Sequence, residues 1–298
     1  KFNLVKALGN SQVIKMFKLF VGRLFSSLIY HLSVLVDTVF SSLTFIVGQG
    51  ALASIYYANR LIQLPFAIVI LSLSRVVMVD LSFYHKEKDL KKFKELLVFS
   101  FQNVIFFVLP IAVVFIFLPR GIISVVFGRG EFDLHSLNIT SAVLFFYSFG
   151  LLFFCGIKLM VNSFYALADT KTPAISAGWA LLVNIVLSGI LIFPLGVGGV
   201  ALGSSLAAIF NFFLLFHLLK KKIGTIPWQN TKSYFIKVLI LSLIYGLVSY
   251  NIWQLLLYNK YIKMTVILGV GLGIFLLGGY FLKIKQVELV WRWILKKK

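Results

Sequence analysis

The chain has 298 residues, of which 60% are hydrophobic and 13% are charged, and its mean hydropathy is +0.98. This composition excludes an ordinary soluble domain, in which about a quarter of the residues are charged. A net charge of +20 on a soluble domain would suggest a nucleic-acid partner, but here the basic residues are concentrated between long apolar segments. We therefore predict an integral membrane protein that binds no nucleic acid.

The apolar segments are long enough to cross a bilayer as helices. A transmembrane helix needs roughly 20 mainly apolar residues, and the sequence contains about eight such segments. They are predicted, in chain order, at 19–40, 51–79, 97–118, 137–160, 173–193, 197–219, 235–257 and 261–282. The predicted fold class is all-α, a polytopic membrane helical bundle.

The basic residues follow the segments in alternation. Lysines are concentrated before the first segment, in the loops after the second and sixth segments and in the tail, and Lys171 lies in the loop after the fourth segment. The remaining loops carry only Arg120, Arg129, Lys260 and Lys263. Because cytoplasmic loops are enriched in Lys and Arg, this pattern predicts that both ends of the chain are cytoplasmic.

The first 18 residues are basic and amphipathic and lack a small-residue cleavage site, so they do not form a secretory signal. They are more typical of a cytoplasmic connector from a preceding helix. We expect the chain to be the carboxyl-terminal part of a longer protein.

Motifs for nucleotide hydrolysis or metal catalysis are absent from the sequence. It contains no G-x-x-x-x-G-K-[ST] loop and no H-E-x-x-H pair, and the only cysteine, Cys155, lies within an apolar segment. This favours a transporter over an enzyme.

Four basic side chains fall inside the predicted spans, and their depths differ. Arg23, Arg75 and Lys158 lie near cytoplasmic ends, from which long side chains reach the headgroups at little cost. Arg60 lies about nine residues from the outer end of its helix, or ~14 Å at ~1.5 Å per residue. Such a charge must face protein or a wet cavity.

Arg60 shares a polar helix face with Tyr56, Asn59 and Gln63, which stand at i, i+3, i+4 and i+7. Pro65 follows and could kink the helix. Two interpretations remain open. Arg60 either forms an anion site in a cavity, or ties helices together through backbone carbonyls or a buried carboxylate.

A second polar set lies in the outer half of the predicted bundle. Asp37, Asn184, Ser188 and Ser204 offer one carboxylate, one amide and two hydroxyls, which suit a hard cation such as Na⁺. Protonation of Asp37 is a second possibility. The structural alternatives are an ion pair between Asp37 and Arg60, or hydrogen bonds between helices.

Two connections contain helix-start signals. In the outer loop before the fourth span, Asp133 or Ser136 can cap the following helix. Before the fifth span, the sequence predicts Thr172 as the N-cap and Pro173 as the first helical residue.

Three motifs, YYANRLIQLP, FGRGEFD and FYALADTKTP, occur in this order. Together they resemble the MurJ (MviN) lipid II flippases of the MOP exporter superfamily, with similarity from about residue 15 to residue 222. The resemblance implies two six-helix lobes followed by two helices that form a lipid groove. On that pattern, residues 1–18 are a cytoplasmic connector, 19–222 the second lobe, 223–282 the groove pair and 283–298 a basic cytoplasmic tail.

The resemblance also implies a function in peptidoglycan synthesis. It implies a flippase in the bacterial cytoplasmic membrane that moves an undecaprenyl-pyrophosphate-linked peptidoglycan precursor outward by alternating access. Its expected partners are this precursor, the membrane lipids and the amino-terminal lobe that is missing here.

Site residues carried over from the family are Arg60 as the substrate-binding arginine, with Tyr56, Asn59 and Gln63 beside it. Asn59 and Gln63 stand where the family often has acidic residues. The set Asp37, Asn184, Ser188 and Ser204 is similar in placement to a sodium site of this fold, with Ser188 replacing a carboxylate. No cofactor is expected beyond Na⁺ or proton coupling.

Two other functions remain open from the sequence. One is a different MOP-type exporter that moves a polysaccharide-linked lipid or a drug. The other is a pseudo-transporter scaffold that organises cell-wall synthesis without moving substrate.

Overall fold

The computed structural model describes residues 11–288, which form a bundle of helices. Residues 1–10 and 289–298, including most of the predicted basic tail, lie outside the described residues. The helices in chain order are α1 (Ser11–Ser42), α2 (Thr44–Val47), α3 (Ala51–Pro65), α4 (Ser72–Lys86), α5 (Leu90–Phe117), α6 (Pro119–Val126), α7 (Leu134–Ala166), α8 (Lys171–Leu195), α9 (Val197–Ile223), α10 (Gln229–Leu255) and α11 (Lys260–Phe281), with a π-helical segment at Phe66–Leu71 between α3 and α4.

The predicted all-α membrane fold is confirmed. Within residues 11–288, six helices are long and apolar enough to cross a membrane: α5, α7, α8, α9, α10 from Thr231 onward, and α11. Helix α1 covers the first predicted span, and α3, the π segment and α4 together cover the second. The protein is therefore a multi-pass membrane protein.

Several helices extend further at their predicted cytoplasmic ends than hydropathy indicates. Helix α5 begins at Leu90 rather than Leu97, α7 ends at Ala166 rather than Met160, and α1 already begins by Ser11. The added turns carry polar and basic residues, which continue the backbone hydrogen bonding of a helix outside hydrocarbon. Hydropathy detects the apolar part of a helix, not its length.

Pro65 interrupts the second span, as its missing backbone donor predicts. It ends α3, and the chain continues through the π-helical segment Phe66–Leu71 before α4 restores the α-helical geometry. The wider π turn accommodates the lost hydrogen bond without ending the helical path. Arg60 therefore lies on the amino-terminal side of a discontinuity in its helix.

Helix α7 lies at the centre of the bundle, where it packs against α3, α4, α5, α6 and α9. Its contact with α9 is close because a glycine faces a serine: a Cβ added at Gly150 would lie 2.9 Å from Ser205 Cα. Ser205 Oγ donates a hydrogen bond of 2.9 Å to the carbonyl oxygen of Phe146 on α7. Small residues at such crossings allow the helix backbones to approach.

Helices α10 and α11 pack against each other, and α10 also packs along α5. Near the predicted cytoplasmic side, Tyr234 Oη donates to Gln286 Oε1 at 2.6 Å, and Gln286 Nε2 donates to Asn103 Oδ1 on α5 at 2.9 Å. On the predicted outer side, Lys260 Nζ donates to the carbonyl oxygens of Ser124 and Gly128 at 2.8 and 2.7 Å, at the end of α6. Hydrogen bonds at both ends thus fix this pair to the rest of the bundle; its assignment as a separate unit, 223–282, stays a prediction.

We predict that Gly150→Ala destabilises the protein by roughly 1–3 kcal/mol, because the added methyl group overpacks the crossing of α7 and α9. Thermal unfolding of the purified protein in detergent measures the effect. Gly178→Ala on α8 is the matched control, since a Cβ there has no neighbour within 4 Å. Equal melting temperatures for the two variants would contradict this account of the packing.

Candidate anion and cation sites

Arg60 lies in the carboxyl-terminal half of α3 and has an exposed side chain. Its Nη2 donates a hydrogen bond of 2.6 Å to Tyr56 Oη, one turn earlier on the same helix. The guanidinium carbon also lies 4.7 Å from the centre of the Tyr56 ring. Tyr56 therefore holds the guanidinium by a hydrogen bond and by a cation–π contact.

No carboxylate neutralises Arg60 among the described residues. The ion pairs in this part of the chain are Lys92 with Asp89 and Lys222 with Asp169. The predicted alternatives of an Asp37–Arg60 ion pair and of a tie to a buried carboxylate are therefore not what residues 11–288 form. The charge stays available to an external anion.

Asn59 and Gln63 complete the polar face. Gln63 Nε2 donates to Asn59 Oδ1 at 3.2 Å, and the side chain of Gln63 is exposed while that of Asn59 is half-buried. Both side chains are neutral, so neither competes with an anion for the guanidinium. The helical spacing thus places the four predicted residues on one face.

The other basic residues in the spans are less informative. The side chains of Arg23 and Arg75 lie outside the described ones. Lys158 on α7 is half-buried and has interaction partners within the protein. Their predicted reach to the headgroups stays a prediction.

The second polar set converges on Asp37, near the carboxyl-terminal end of α1. Ser204 Oγ on α9 lies 2.8 and 2.7 Å from the two carboxylate oxygens, and Asn184 Nδ2 on α8 donates to Asp37 Oδ1 at 3.1 Å. Side chains from three helices therefore meet at one carboxylate.

The amide oxygen of Asn184 extends this cluster. It accepts a hydrogen bond of 2.9 Å from Ser188 Oγ and lies 3.3 Å from Ser204 Oγ. Asn184 and Ser188 are buried. All four residues predicted for the cation site are brought together, and their oxygen atoms are the kind that Na⁺ prefers.

Tyr147 on α7 is a fifth member that the sequence did not reveal. Its Oη donates to Asp37 Oδ2 at 3.2 Å, so the cluster also reaches the central helix. A single tyrosine in an apolar span gives no sign in the sequence of what its hydroxyl contacts. The packing of α1 on the bundle brings the Tyr147 hydroxyl to the Asp37 carboxylate. We refer to Asp37, Tyr147, Asn184, Ser188 and Ser204 as the Asp37 cluster.

Capping differs between the two connections. Asp133 caps α7 as predicted, accepting from the Ser136 amide at 2.8 Å. The predicted cap at Thr172 is wrong, because α8 already begins at Lys171. Instead, Asp169 accepts from the Thr172 amide at 3.0 Å and from its hydroxyl at 2.8 Å. The side chain that accepts a hydrogen bond at the start of α8 is therefore Asp169 and not Thr172.

Asp169 also binds Lys222 at the end of α9, with Nζ and Oδ2 2.6 Å apart. Burial alone raises the pKa of the Asp169 carboxyl, but the hydrogen bonds from Lys222 and Thr172 outweigh it and hold the pKa below the ordinary value of 3.8. This ion pair joins the connection between α7 and α8 to the end of α9 on the predicted cytoplasmic side.

Comparison with known proteins gives consistent matches along the chain. The family model described as "Lipid II flippase MurJ" matches residues 2–271. A protein of Buchnera aphidicola from Acyrthosiphon pisum, named "Probable lipid II flippase MurJ", is 33% identical over 213 residues, which are 71% of this chain and 41% of that protein. The protein of the same name from the Buchnera of Schizaphis graminum is 28% identical over 94% of this chain and 55% of its own length. The chain thus spans about half the length of the relatives it matches.

Solved structures show the same relationship. The structure titled "Lipid II flippase MurJ, inward closed conformation" aligns with a TM-score of 0.72 and 28% identity, over 87% of this chain and 52% of the other. A MOP superfamily transporter from Pyrococcus furiosus aligns with a TM-score of 0.58 over 85% of this chain and 57% of its own, at 15% identity. The second match supports the fold alone.

We predict that Asp169→Asn lowers the stability by roughly 1 kcal/mol near neutral pH, because one ion pair and its hydrogen bonds weaken. Since the pKa of folded Asp169 lies below 3.8, its stabilising contribution is complete above that value and is lost as the pH falls through the folded pKa. Thermal unfolding at several pH values from about 7 to about 3 should show the difference from the parent protein shrinking at the acid end.

Glu87→Gln, which alters an exposed carboxylate of another connection on the same predicted side, is the control and should change little. A difference for Asp169→Asn that is constant across the pH range would show that the charge of Asp169 contributes nothing.

Proposed function

Since this chain belongs to the lipid II flippase MurJ family, we propose that it is part of a carrier that moves a lipid-linked peptidoglycan precursor across the membrane. The precursor carries an anionic pyrophosphate between a polyprenyl tail and its headgroup. In this proposal the chain binds and moves the substrate and catalyses no reaction.

One observation carries the proposal: the exposed guanidinium of Arg60, on a helix of an apolar bundle, has a tyrosine and no carboxylate as its partner within residues 11–288. An arginine in a span costs between ~3 and more than ~10 kcal/mol, depending on how the cost is assessed. The protein retains this charge where an anion can reach it. A structural arginine would instead be neutralised within the bundle.

Guanidinium suits a pyrophosphate because its planar donors contact two oxygens at once. Binding of the anion also removes most of the cost of holding the cation away from water. The polyprenyl tail can stay in lipid, since the exposed surfaces of α8, α10 and α11 are apolar. The carrier therefore needs to surround only the polar headgroup.

The membrane potential supplies a direction for this transport. With the cell interior negative, outward movement of two negative charges is favoured by about 4.6 kcal/mol per 100 mV, since each charge contributes about 2.3. The potential can therefore drive the loaded step, and a returning cation can reset the empty carrier.

We propose the Asp37 cluster as the site of that cation. The oxygens come from α1, α8 and α9 and are linked in sequence: Asp37 to Ser204, Ser204 to Asn184, and Asn184 to Ser188. These oxygens suit Na⁺ as ligands. The charge of a bound Na⁺ would attract the Asp37 carboxylate and the polar groups of α8 and α9, and would so hold the three helices together. Helix α1 also packs against α3, so a change at Asp37 acts on the helix that bears Arg60.

The remaining parts of the proposal follow the family. An amino-terminal lobe of the same protein would form the opposite wall of the cavity, and rocking between the lobes would expose the site to each side in turn. The carrier would lie in the bacterial cytoplasmic membrane with both ends of this chain in the cytoplasm, as the basic loops favour.

We expect Arg60→Ala in the complete protein to abolish growth when it replaces the flippase of a depleted bacterium, because the anion loses its bidentate partner. Arg60→Lys should restore growth only partly, since lysine keeps the charge but not the paired donors. Growth on depletion and transport of labelled precursor in reconstituted vesicles measure the effect.

Arg120→Ala, which removes an exposed arginine from α6, is the matched control and should support normal growth. Growth is compared only between variants that are present in the membrane at the same level as the parent protein. Full growth of Arg60→Ala would exclude the carrier and favour a scaffold, whereas loss of transport is the expected result.

The cation proposal predicts that Na⁺ raises the melting temperature of the purified protein by about 2–4 °C at about ten times its dissociation constant, relative to K⁺ at equal ionic strength. Asp37→Asn keeps the shape of the side chain, removes its charge and should abolish the difference. An equal response of parent and variant to Na⁺ would exclude this site.

A further inference from the structure

A cavity of about 610 Å³ lies at the outer end of the bundle, apart from Arg60 and from the Asp37 cluster. Its walls come from the first turns of α3, from the outer loop between α6 and α7, and from the start of α7. His135 Nε2 lies 3.2 Å from the carbonyl oxygen of Gln49, which joins two of these walls at the rim. The volume lies in the range of small-molecule sites, about 300–1,000 Å³.

One side of the cavity is aromatic. The rings of Tyr57 and Phe127 are 4.9 Å apart, and Phe132 lies 5.7 Å from Tyr57 and 6.2 Å from Phe127. Each of the three rings is only partly buried, so part of its surface stays available to a ligand. Aromatic rings of this kind offer a large apolar contact with an electron-rich face.

The cavity also carries charge of both signs. Arg129 and Glu131 are the charged residues of its lining, and both are exposed. Neither takes part in an ion pair within residues 11–288. Ser136 and Thr140, which carry hydroxyl groups, also line the cavity. A cavity with an aromatic side, hydroxyls, one cation and one anion fits a ligand that combines sugar rings with carboxylate and amino groups.

The cavity is connected to Arg60 through two tyrosines. Tyr57 lines the cavity, its ring is 6.1 Å from that of Tyr56, and Tyr56 binds Arg60. Tyr57 stands three residues before Arg60, or about 4.5 Å along the helix axis. A headgroup with its pyrophosphate at Arg60 and its sugars directed toward the start of α3 would therefore lie beside this cavity.

From this arrangement we infer that the outer cavity is a second subsite of the carrier, which holds the sugar and peptide part of the headgroup while Arg60 holds the pyrophosphate. The inference rests on the proposed function. In it, the aromatic rings contact the sugars, Arg129 binds a carboxylate of the peptide and Glu131 accepts from an amino or hydroxyl group. The site thereby distinguishes a complete headgroup from a bare pyrophosphate.

The test compares two probes on the purified complete protein: lipid II, which has the whole headgroup, and undecaprenyl pyrophosphate, which has neither sugar nor peptide. Arg129→Ala and Glu131→Gln should weaken lipid II binding about tenfold, the loss expected for one charge-assisted hydrogen bond. Neither should change the binding of undecaprenyl pyrophosphate. Arg60→Ala should weaken both probes.

Arg120→Ala serves again as the control, because this outer arginine does not line the cavity. Unchanged lipid II binding by both cavity variants would overturn the subsite while leaving the proposed function standing. Equal weakening of both probes would also overturn it, because the cavity would not read the sugar and peptide. Failure of the parent protein to bind either lipid would overturn the proposed function together with the subsite.

Discussion

Hydrocarbon offers no hydrogen-bond partner, and this constraint divides the polar side chains of the bundle into two groups. Most of those in the interior form hydrogen bonds with one another or with backbone carbonyl oxygens. Ser176 Oγ donates to Asn211 Oδ1 at 2.5 Å between α8 and α9, and the Asp37 cluster joins four helices through one carboxylate. Arg60 belongs to the other group, since its partner is on its own helix and its remaining donors face outward.

The two groups have different physical consequences. A satisfied interior cluster fixes the positions of helices, because loss of one partner leaves the others desolvated and unpaired. An outward guanidinium fixes nothing until an anion arrives. Helix α1 connects the two, since it carries Asp37 and packs against α3 as well as against α8 and α9. In the proposed mechanism, ion binding at Asp37 and substrate binding at Arg60 would therefore act on adjoining helices.

Much of the bundle could be predicted from the sequence because membrane insertion imposes simple patterns. Hydropathy located the spans, and helical spacing placed Arg60 on a polar face with Tyr56. Depth alone suggested that Asp37 could meet groups from distant spans. The helix ends were missed because polar turns outside hydrocarbon leave no signal in hydropathy. The start of α8 was misplaced because Asp169, and not Thr172, supplies the side-chain acceptor near the beginning of the helix.

The outer cavity and Tyr147 escaped prediction for another reason. They depend on how distant segments pack, and neither the loop motif FGRGEFD nor a single tyrosine in an apolar span has a periodicity that specifies its neighbours. The motif looked like a capped turn, and Asp133 does cap α7. Its Arg129 and Glu131 line one cavity only because the first turns of α3 pack beside the loop.

The π-helical segment Phe66–Leu71 sets an angle as well as a path. Each residue of an α-helix turns the chain by about 100°, so the number of residues between α3 and α4 determines how the two helices are rotated relative to each other. Helix α4 is held by its packing against α5 and α7. A chain with one residue fewer in this segment would keep its apolar composition and both helices. The guanidinium of Arg60 would then point about a quarter of a turn away from its present direction. The number of residues between α3 and α4 thus helps to determine where the charge of Arg60 lies.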